Sequence, residues 1–243
     1  MANNDVVVSA DRIRKWHKTG RFIKLSILLL LLLLIIIYIV LRITFSDGSF
    51  IVSLRSNDIL TSGMVMYESL NDPTAKRKLS AGPISFMDNI DEKWIPANVN
   101  EFEGSHNGDN YIAYTFYIEN QGEYIFNYWY QMFIDDVVNM ADEIVWVKVF
   151  EDDVEVEEPS HIVKTFAKGT TDSMETDSDT IPFREDKDGT IILEKVGPMK
   201  PGDIKRMTIV VWIQGPDHDA IDARIGGELR MHMDITEEHI GVE

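Results

Sequence analysis

An apolar run near the amino terminus, residues 25–41, constrains this chain more than any other feature. Every residue in the run is apolar except Ser26 and Tyr38. As an α-helix rising ~1.5 Å per residue, it covers about 25 Å of a hydrocarbon layer about 30 Å thick. Lys24 and Arg42 flank it and can extend their charges to the headgroups. A helix that is apolar on every side suits lipid better than one side of a soluble core, so the run predicts a transmembrane helix.

Basic residues before the run predict its orientation. Six Lys and Arg side chains precede it, against two acidic ones, and this excess keeps that end in the cytoplasm. A cleaved signal peptide would share the orientation, but its apolar region is usually about 7–15 residues long and ends at a small-x-small site. Here the run is longer, and the weak Ser46-Asp47-Gly48 is the candidate site. We therefore predict a retained signal anchor in the cell membrane. The predicted segments are a basic cytoplasmic tail (1–24), a transmembrane anchor (25–42) and an extracellular domain (43–243).

The segment beyond the anchor is strongly acidic and contains no cysteine. It carries 16 Lys and Arg residues against 39 Asp and Glu residues, a net charge of −23. Such a charge repels nucleic acid and anionic headgroups, so we expect no nucleic-acid partner and contact with the lipid bilayer only through the anchor. Without cysteine there is no disulfide framework, thiol nucleophile or thiolate metal site. An exported domain of this kind fits a bacterial surface better than a eukaryotic secretory pathway.

Alternation of side chains, rather than helical periodicity, dominates the outer segment. Residues 114–118 and 124–134 alternate around an Asn-Gln-Gly-Glu turn, which predicts a β-hairpin with one buried aromatic face. We expect a short helix at 135–143 and an edge strand in the acidic stretch 151–160. The remaining expected strands lie within 63–70, 144–150, 190–196, 203–213 and 228–235. These short strands and turns predict a mainly β fold, an antiparallel β-sandwich after an amino-terminal transmembrane helix.

Several phrases of the sequence are shared with a known family. They are "FSDGSF" directly after the apolar run, "YIENQGEYIFNYWYQM" in mid-chain, and "KPGDIKRMTIVVWIQGPDHDAID" followed by "GGELRMHMDI" near the end. With these phrases the chain resembles the TasA and camelysin-related surface proteins of Gram-positive bacteria. The resemblance implies a jelly-roll-like β-sandwich displayed outside the cell as a building block of fibres or matrix.

Two departures from that family bear on function. Arg42-Ile43-Thr44 stands where relatives usually have the small residues of a cleavable leader. Camelysin-like members have been described as metalloproteases, yet this sequence contains no His-Glu-x-x-His.

Sequence signals of the common hydrolases are missing. No Gly-x-Ser-x-Gly elbow and no phosphate-binding glycine loop occur. No histidine beyond the anchor has the i, i+4 partner and glutamate of a zinc hydrolase helix. These histidines are His106, His161, His218, His232 and His239. We expect His232 to face solvent from a strand whose Met231 and Met233 point the other way, and we expect a protein that is not an enzyme.

Two acidic loops are the candidate metal sites, with calcium as the candidate ion and no other cofactor expected. Calcium binds several carboxylate and carbonyl oxygens on a flexible loop. The candidate ligands are Asp186 and Asp188 in the first loop, and Asp217, Asp219 and Asp222 in the second. Neither loop completes an EF-hand, and an ordinary Asp-Gly turn explains the first without an ion.

An anchored, strand-rich chain without catalytic motifs is predicted to work by binding or by assembly of surface structures. The expected partners are further copies of the chain or homologous surface proteins, joined by strand addition at a sheet edge. Two alternatives stay open: a membrane-tethered hydrolase with an unrecognised metal or carboxylate site, and an accessory subunit of a membrane complex. Trp129 or Tyr128 could also anchor a peptide or glycan, although core packing is the favoured role of that aromatic stretch.

Overall fold

A computed structural model describes residues 23–40, 50–55, 63–82, 84, 87–137, 141–154, 162–168, 179–215 and 229–239. The chain divides into two units, Met1–Ser46 and Asp47–Glu243. The first unit contains one described α-helix, and the second contains two β-sheets. The predicted mainly β fold with an apolar amino-terminal helix is therefore confirmed.

The helix α1 (Ile23–Val40) is apolar on every side apart from Lys24, Ser26 and Tyr38. It is 18 residues long, its mean hydropathy is 3.1, and none of it is buried. At ~1.5 Å per residue it is about 27 Å long, close to the thickness of a bilayer's hydrocarbon core. Its length and composition are therefore those of a helix that can cross a membrane.

The second unit is built from short strands. In chain order, the described strands are β1 (Phe50–Arg55), β2 (Met64–Tyr67), β3 (Lys78–Ser80), β4 (Asn89–Ile90), β5 (Gly104–Ser105), β6 (Tyr111–Asn120), β7 (Phe126–Val137), β8 (Val145–Asp153), β9 (Ile162–Ala167), β10 (Thr180–Pro182), β11 (Thr190–Met199), β12 (Ile204–Gln214) and β13 (Leu229–His239). A five-stranded sheet has the order β11-β7-β13-β1-β3. An eight-stranded sheet has the order β10-β9-β8-β12-β6-β2, with β4 paired to β12 and β5 to β6.

Neighbouring strands are mostly antiparallel, as expected, but β1–β13, β4–β12 and β9–β10 are parallel pairs. The β1 strand, which follows α1 in the sequence, lies between β13 and β3 rather than at an edge. Its side chains Phe50 and Val52 are buried. The first strand of this unit is therefore an integral part of its sheet.

Side-chain alternation places the inner faces of the two sheets in one shared core. Tyr114 and Phe116 of β6 meet Tyr128 and Tyr130 of β7 in this core, and all four are fully buried. Burying a large apolar side chain contributes about 1.5–3 kcal/mol relative to exposure. The aromatic stretch recognised in the sequence is therefore the centre of the sandwich.

The predicted β-hairpin is wrong in its pairing. Both strands exist, and the predicted aromatic face is buried at Phe126, Tyr128 and Tyr130, whereas Tyr124 precedes β7 and is exposed. However, β6 pairs with β12, and β7 pairs with β11 and β13. The two strands therefore lie in opposite sheets. The alternation of apolar side chains shows which face of a strand is buried, but it does not show which other strand is its hydrogen-bonding neighbour.

Asn120 holds the crossover between the sheets. This side chain is fully buried; its Nδ2 donates to the carbonyls of Tyr124 (2.9 Å) and Met199 (3.1 Å), and its Oδ1 accepts from the backbone N–H of Gly122 (3.0 Å). Gly63 approaches so closely that a Cβ there would lie 2.3 Å from the Cα of Gly122. The Asn-Gln-Gly segment is therefore a corner that joins two sheets.

The helix expected at 135–143 is also wrong in its described part. Residues 135–137 continue β7, and Ala141–Glu143 forms one 3-10 turn. Residues 138–140 lie outside the described part. Pairing of β7 with β13 extends as far as Val137, so ladder hydrogen bonds override the local helical pattern.

The acidic stretch expected at an edge begins inside the eight-stranded sheet. Glu151 and Asp152 are buried at the end of β8, which pairs with β9 on one side and β12 on the other. Residues 155–161 lie outside the described part. The described acidic residues therefore do not protect an edge, because β8 has a partner strand on each side.

A segment covering 88–106 closes the outer face of the eight-stranded sheet. It contains β4, β5 and the 3-10 helices Glu92–Trp94 and Val99–Glu101. Ile90 and Val99 of this segment pack with Trp146 and Trp212 of the sheet in a second apolar cluster. This sheet therefore has apolar cover on both faces.

Candidate binding surface

Among the described residues, no group of three or more His, Cys, Asp or Glu side chains is arranged to hold a metal ion. Asp186 and Asp188 lie in the turn before β11. Oδ2 of Asp186 accepts from Arg184 Nε (2.8 Å), whereas Oδ1 of Asp188 accepts from the Thr190 N–H (3.2 Å). Gly189 closes the turn by donating its N–H to the Asp186 carbonyl, and its φ is +82°. The geometry is that of an Asp-Gly turn.

The second candidate loop lies elsewhere in the chain. Asp217, Asp219 and Asp222 are outside the described residues. Calcium binding therefore stays a prediction for both loops.

Glu151 is a buried carboxylate between the two sheets. Its Oε1 accepts from the hydroxyl of the buried Tyr130 at 2.9 Å. Burial raises the pKa of Glu151, while the Tyr130 hydrogen bond and the nearby Lys164 and Lys205 oppose that shift. Glu194 adds to the rise.

The cations near Glu151 already have carboxylate partners. Lys164 Nζ lies 2.7 Å from Oε2 of Glu194, which joins β9 to β11, and Lys205 pairs with Asp153. Lys164 and Lys205 therefore lie among three carboxylates, those of Glu151, Asp153 and Glu194. The group joins the two sheets.

We expect the Glu151→Gln substitution to raise the midpoint of thermal unfolding at pH 7–8 and to have little effect near pH 4. The folded-state pKa of Glu151 lies above its ordinary value of 4.5. Its contribution to stability is therefore complete below that value and is lost as pH rises through the folded-state pKa. Glutamine keeps an acceptor for Tyr130 and carries no buried charge. Melting curves of both proteins from pH 4 to 8 test this, and a constant difference across that range would contradict it.

The outer face of the five-stranded sheet differs from that of its partner sheet. Apolar clusters among the described residues occupy the space between the sheets and the region beneath 88–106, and neither lies over this face. We call it the aromatic face. Its outward residues are Ile51, Ser53 and Arg55 of β1; Lys78 and Ser80 of β3; Asn127, Trp129, Gln131, Phe133 and Asp135 of β7; Leu193 and Lys195 of β11; and His232, Asp234, Thr236 and Glu238 of β13.

Trp129 is held in place near one end of the aromatic face. Its Nε1 donates to Oε2 of Glu238 at 3.1 Å. Lys195 Nζ lies 5.4 Å from the Trp129 ring centroid and 2.5 Å from the same Glu238 oxygen. The hydrogen bonds from Lys195 and Trp129 lower the pKa of Glu238. These contacts fix the orientation of the partly exposed Trp129 indole.

Phe133 and His232 form a second aromatic contact four residues further along β7. Their rings stack with centroids 4.6 Å apart and planes 9° apart. His232 Nδ1 lies 2.7 Å from Oδ1 of Asp135, so its N–H donates to that carboxylate. Met231 and Met233 are buried on the opposite side of β13, and the expected outward placement of His232 is confirmed.

Sequence reasoning found only part of this surface. Trp129 and Tyr128 were both candidate anchors, and the structure separates them: Tyr128 is in the core, whereas Trp129 is on the aromatic face. The alternation along β7 was the signal that could have identified the rest of its row. The partners Glu238 and His232 come from β13, about 100 residues later, and nothing in the local sequence pairs β13 with β7.

Described sheet edges carry features that hinder strand addition. The outer strands β3 and β10 have three residues each, and β10 ends in Pro182. The edge strand β2 makes a bridge from Met66 to Lys76. The longest edge strand, β11, contains Lys195 and Pro198 and has two register shifts against β7. Short strands, edge charges, prolines and bulges all discourage pairing with another chain, so the aromatic face is the better candidate surface.

The fold and this surface define a mainly β, two-sheet protein with an apolar amino-terminal helix and one outer sheet face without an apolar cover among the described residues. Comparison with protein-family models, with curated proteins and with solved structures found no match. The resemblance to TasA and camelysin-related proteins therefore stays a prediction that rests on the sequence segments quoted above.

Proposed function

We propose that this protein is a membrane-anchored cell-surface protein that acts by binding or assembly rather than by catalysis. The observation that carries the proposal is α1, which is apolar and exposed on every side and precedes a separate two-sheet unit. Lipid is the medium in which such a helix is stable. The basic residues before it favour a cytoplasmic amino terminus and an exported carboxyl-terminal domain.

The connection between helix and sandwich limits where the domain can act. Val40 ends α1, and Phe50 begins β1. Nine residues lie between them, and the ten Cα–Cα steps from Val40 to Phe50 can span at most about 36 Å when fully extended. Partners must therefore be close to the membrane unless the chain is cut between 41 and 49.

Buried carboxylates of the sandwich have partners within the fold, and the aromatic face supports a binding role. The buried carboxylate Glu151 bonds to Tyr130 within an inter-sheet network, and Asp152 is paired with Arg206. The partly exposed aromatic face supplies the kind of residues that recur at protein interfaces, including Trp129 and Phe133.

The resemblance to TasA and camelysin-related proteins suggests the kind of structure served. Those relatives build fibres or matrix outside Gram-positive cells. We propose that this chain contributes to such an assembly from a fixed position on the membrane, in contact with copies of itself or with homologous surface proteins.

Protease digestion of intact bacterial cells tests the proposal. The full chain carries a different epitope tag at each end, and a cytoplasmic protein serves as the control for cell integrity. We expect the carboxyl-terminal tag to be digested, the amino-terminal tag to be protected, and the undigested chain to sediment with membranes. Protection of the carboxyl-terminal tag, or mature chains that begin near Ser49, would overturn the proposed anchoring.

A further inference from the structure

We infer that the aromatic face is a self-association surface, and that its partner is the same face on a second copy of this chain. The inference rests on the proposed function, because it specifies which surface and which partner serve assembly.

Charge identifies the partner. The 201 residues from 43 onward have a net charge of −23, so two copies repel each other across most of their surfaces. The aromatic face is an exception: its outward residues include three cations (Arg55, Lys78 and Lys195) and three carboxylates (Asp135, Asp234 and Glu238), in addition to His232. The electrostatic cost of bringing two such acidic domains together is lowest when they meet through a face that is nearly neutral.

Ion pairs within the face neutralise these charges before association. Arg55 NH1 lies 3.1 Å from Oδ2 of Asp234, and Lys195 lies 2.5 Å from Glu238. A second copy therefore need not supply counter-charges. A basic partner, in contrast, would be drawn to the acidic surfaces elsewhere on the domain.

Apolar side chains supply the attraction. Ile51, Trp129, Phe133 and Leu193 are only partly exposed, and they lie among polar residues on a sheet that can pack face to face with another at about 10 Å. On the other sheet, the outward Trp146 and Trp212 are buried under the segment 88–106. Among the described residues, the chain thus covers the outward aromatic residues of one sheet only, and a second copy would cover those of the other.

The size of the face sets the expected strength. Five strands about 4.8 Å apart and about eight residues long at 3.3 Å per residue form a face of roughly 600 Å². Two such faces bury roughly 1,200 Å², the lower end of the range for specific interfaces. We therefore expect weak association in solution and stronger association between copies held in one membrane, where tethering raises their effective concentration.

Disulfide trapping tests the inference, because the chain has no cysteine of its own. Gln131 lies outward at the middle of β7, so Gln131→Cys places a thiol near the twofold axis of a face-to-face dimer. Lys93→Cys places a matched exposed thiol in the segment over the opposite sheet. The full chain carrying either substitution is reconstituted in lipid vesicles at low protein density and oxidised. We expect cross-linked dimers with Gln131→Cys at about tenfold the yield of Lys93→Cys.

Two variants and a salt series complete the experiment. Trp129→Ala, added to Gln131→Cys, should lower the cross-linked yield about tenfold or more. The Gln131→Glu substitution, made in the chain without introduced cysteines, adds a negative charge to each face. Sedimentation of this variant should therefore show weaker association. Association should strengthen as salt screens the repulsion between domains. A melting curve of each variant checks that the fold is intact.

The outcomes separate this inference from the proposed function. Equal cross-linking at Gln131 and Lys93, no effect of Trp129→Ala, or association that weakens with salt would overturn the aromatic face as a self-association surface. Binding of an added glycan or peptide to the face, without dimers, would overturn it in the same way. In each case, continued sedimentation with the vesicles and the cellular digestion pattern would leave the anchored binding function standing.

Discussion

Replacing Leu31 and Leu34 by arginine is expected to abolish membrane retention of the full chain. Both positions lie near the middle of α1. In the proposed membrane-spanning helix they would be deepest in the hydrocarbon layer, where a side chain cannot reach the headgroups. Each arginine at the centre of a transmembrane helix costs about 2.5–3.5 kcal/mol of insertion free energy, so the pair costs about 6 kcal/mol. The measurement is the fraction of the chain that sediments with membranes and resists alkaline extraction.

A matched control carries the same two charges at the ends of the helix. Arginines at Ile23 and Val40 can extend along the lipid to the interface, and retention should be close to that of the unsubstituted chain. Equal retention of the central variant and this control would show that α1 is not what holds the protein in the membrane. The contrast depends on the depth of the charge and is independent of the total charge added.

The Asp152→Ala substitution is expected to lower the free energy of unfolding by about 3 kcal/mol. The side chain of Asp152 is only 2% exposed, and its Oδ2 accepts from Arg206 Nε (3.1 Å), from Arg206 NH2 (2.8 Å) and from Asn100 Nδ2 (3.2 Å). Removing one partner of a buried ion pair typically costs about 3–5 kcal/mol, because the remaining charge and donors stay buried. The Arg206 side chain is 25% exposed, which places the expected cost at the lower end.

Asp153 provides the control on the same strand. It pairs with Lys205, but its side chain is 26% exposed. Water can therefore replace its contacts, and Asp153→Ala should cost about 1 kcal/mol. Urea unfolding of both full-length variants in mild detergent, followed by tryptophan fluorescence, measures the difference. Equal costs for the two substitutions would show that the Asp152 network does not hold the segment 88–106 on its sheet.

Local patterns predicted the elements of this protein better than their partners. The strands expected at 144–150, 190–196, 203–213 and, in its described part, 228–235 are present, because β-branched and aromatic residues with period two suit a pleated, half-buried chain. The inward aromatic row of β7 was also predicted. The prediction that β6 and β7 pair was wrong. It assumed that strands adjacent in the sequence are adjacent in a sheet, but an Asn-Gln-Gly turn can connect two sheets as well as the two strands of a hairpin.

The residues of the aromatic face could likewise be predicted only in part. Trp129 was visible as a candidate anchor, but its fixed orientation depends on Lys195 and Glu238. These two residues come from the strands on either side of β7, and each lies more than 60 residues from Trp129 in the chain. The balance of charge on the aromatic face is likewise not visible in the sequence, because residues 43–243 as a whole have a net charge of −23.

The sequence by itself determined the apolar helix, the acidic and cysteine-free character of the outer part and its mainly β nature, because composition and period are local properties of the chain. Only the tertiary structure decided which strands are neighbours, that β1 lies within a sheet, that Asp152 is buried, and that one outer face holds paired charges around two aromatic residues. Those features depend on contacts between residues far apart in the chain. Many pairings satisfy the same alternation, and the packing of the whole core selects one of them.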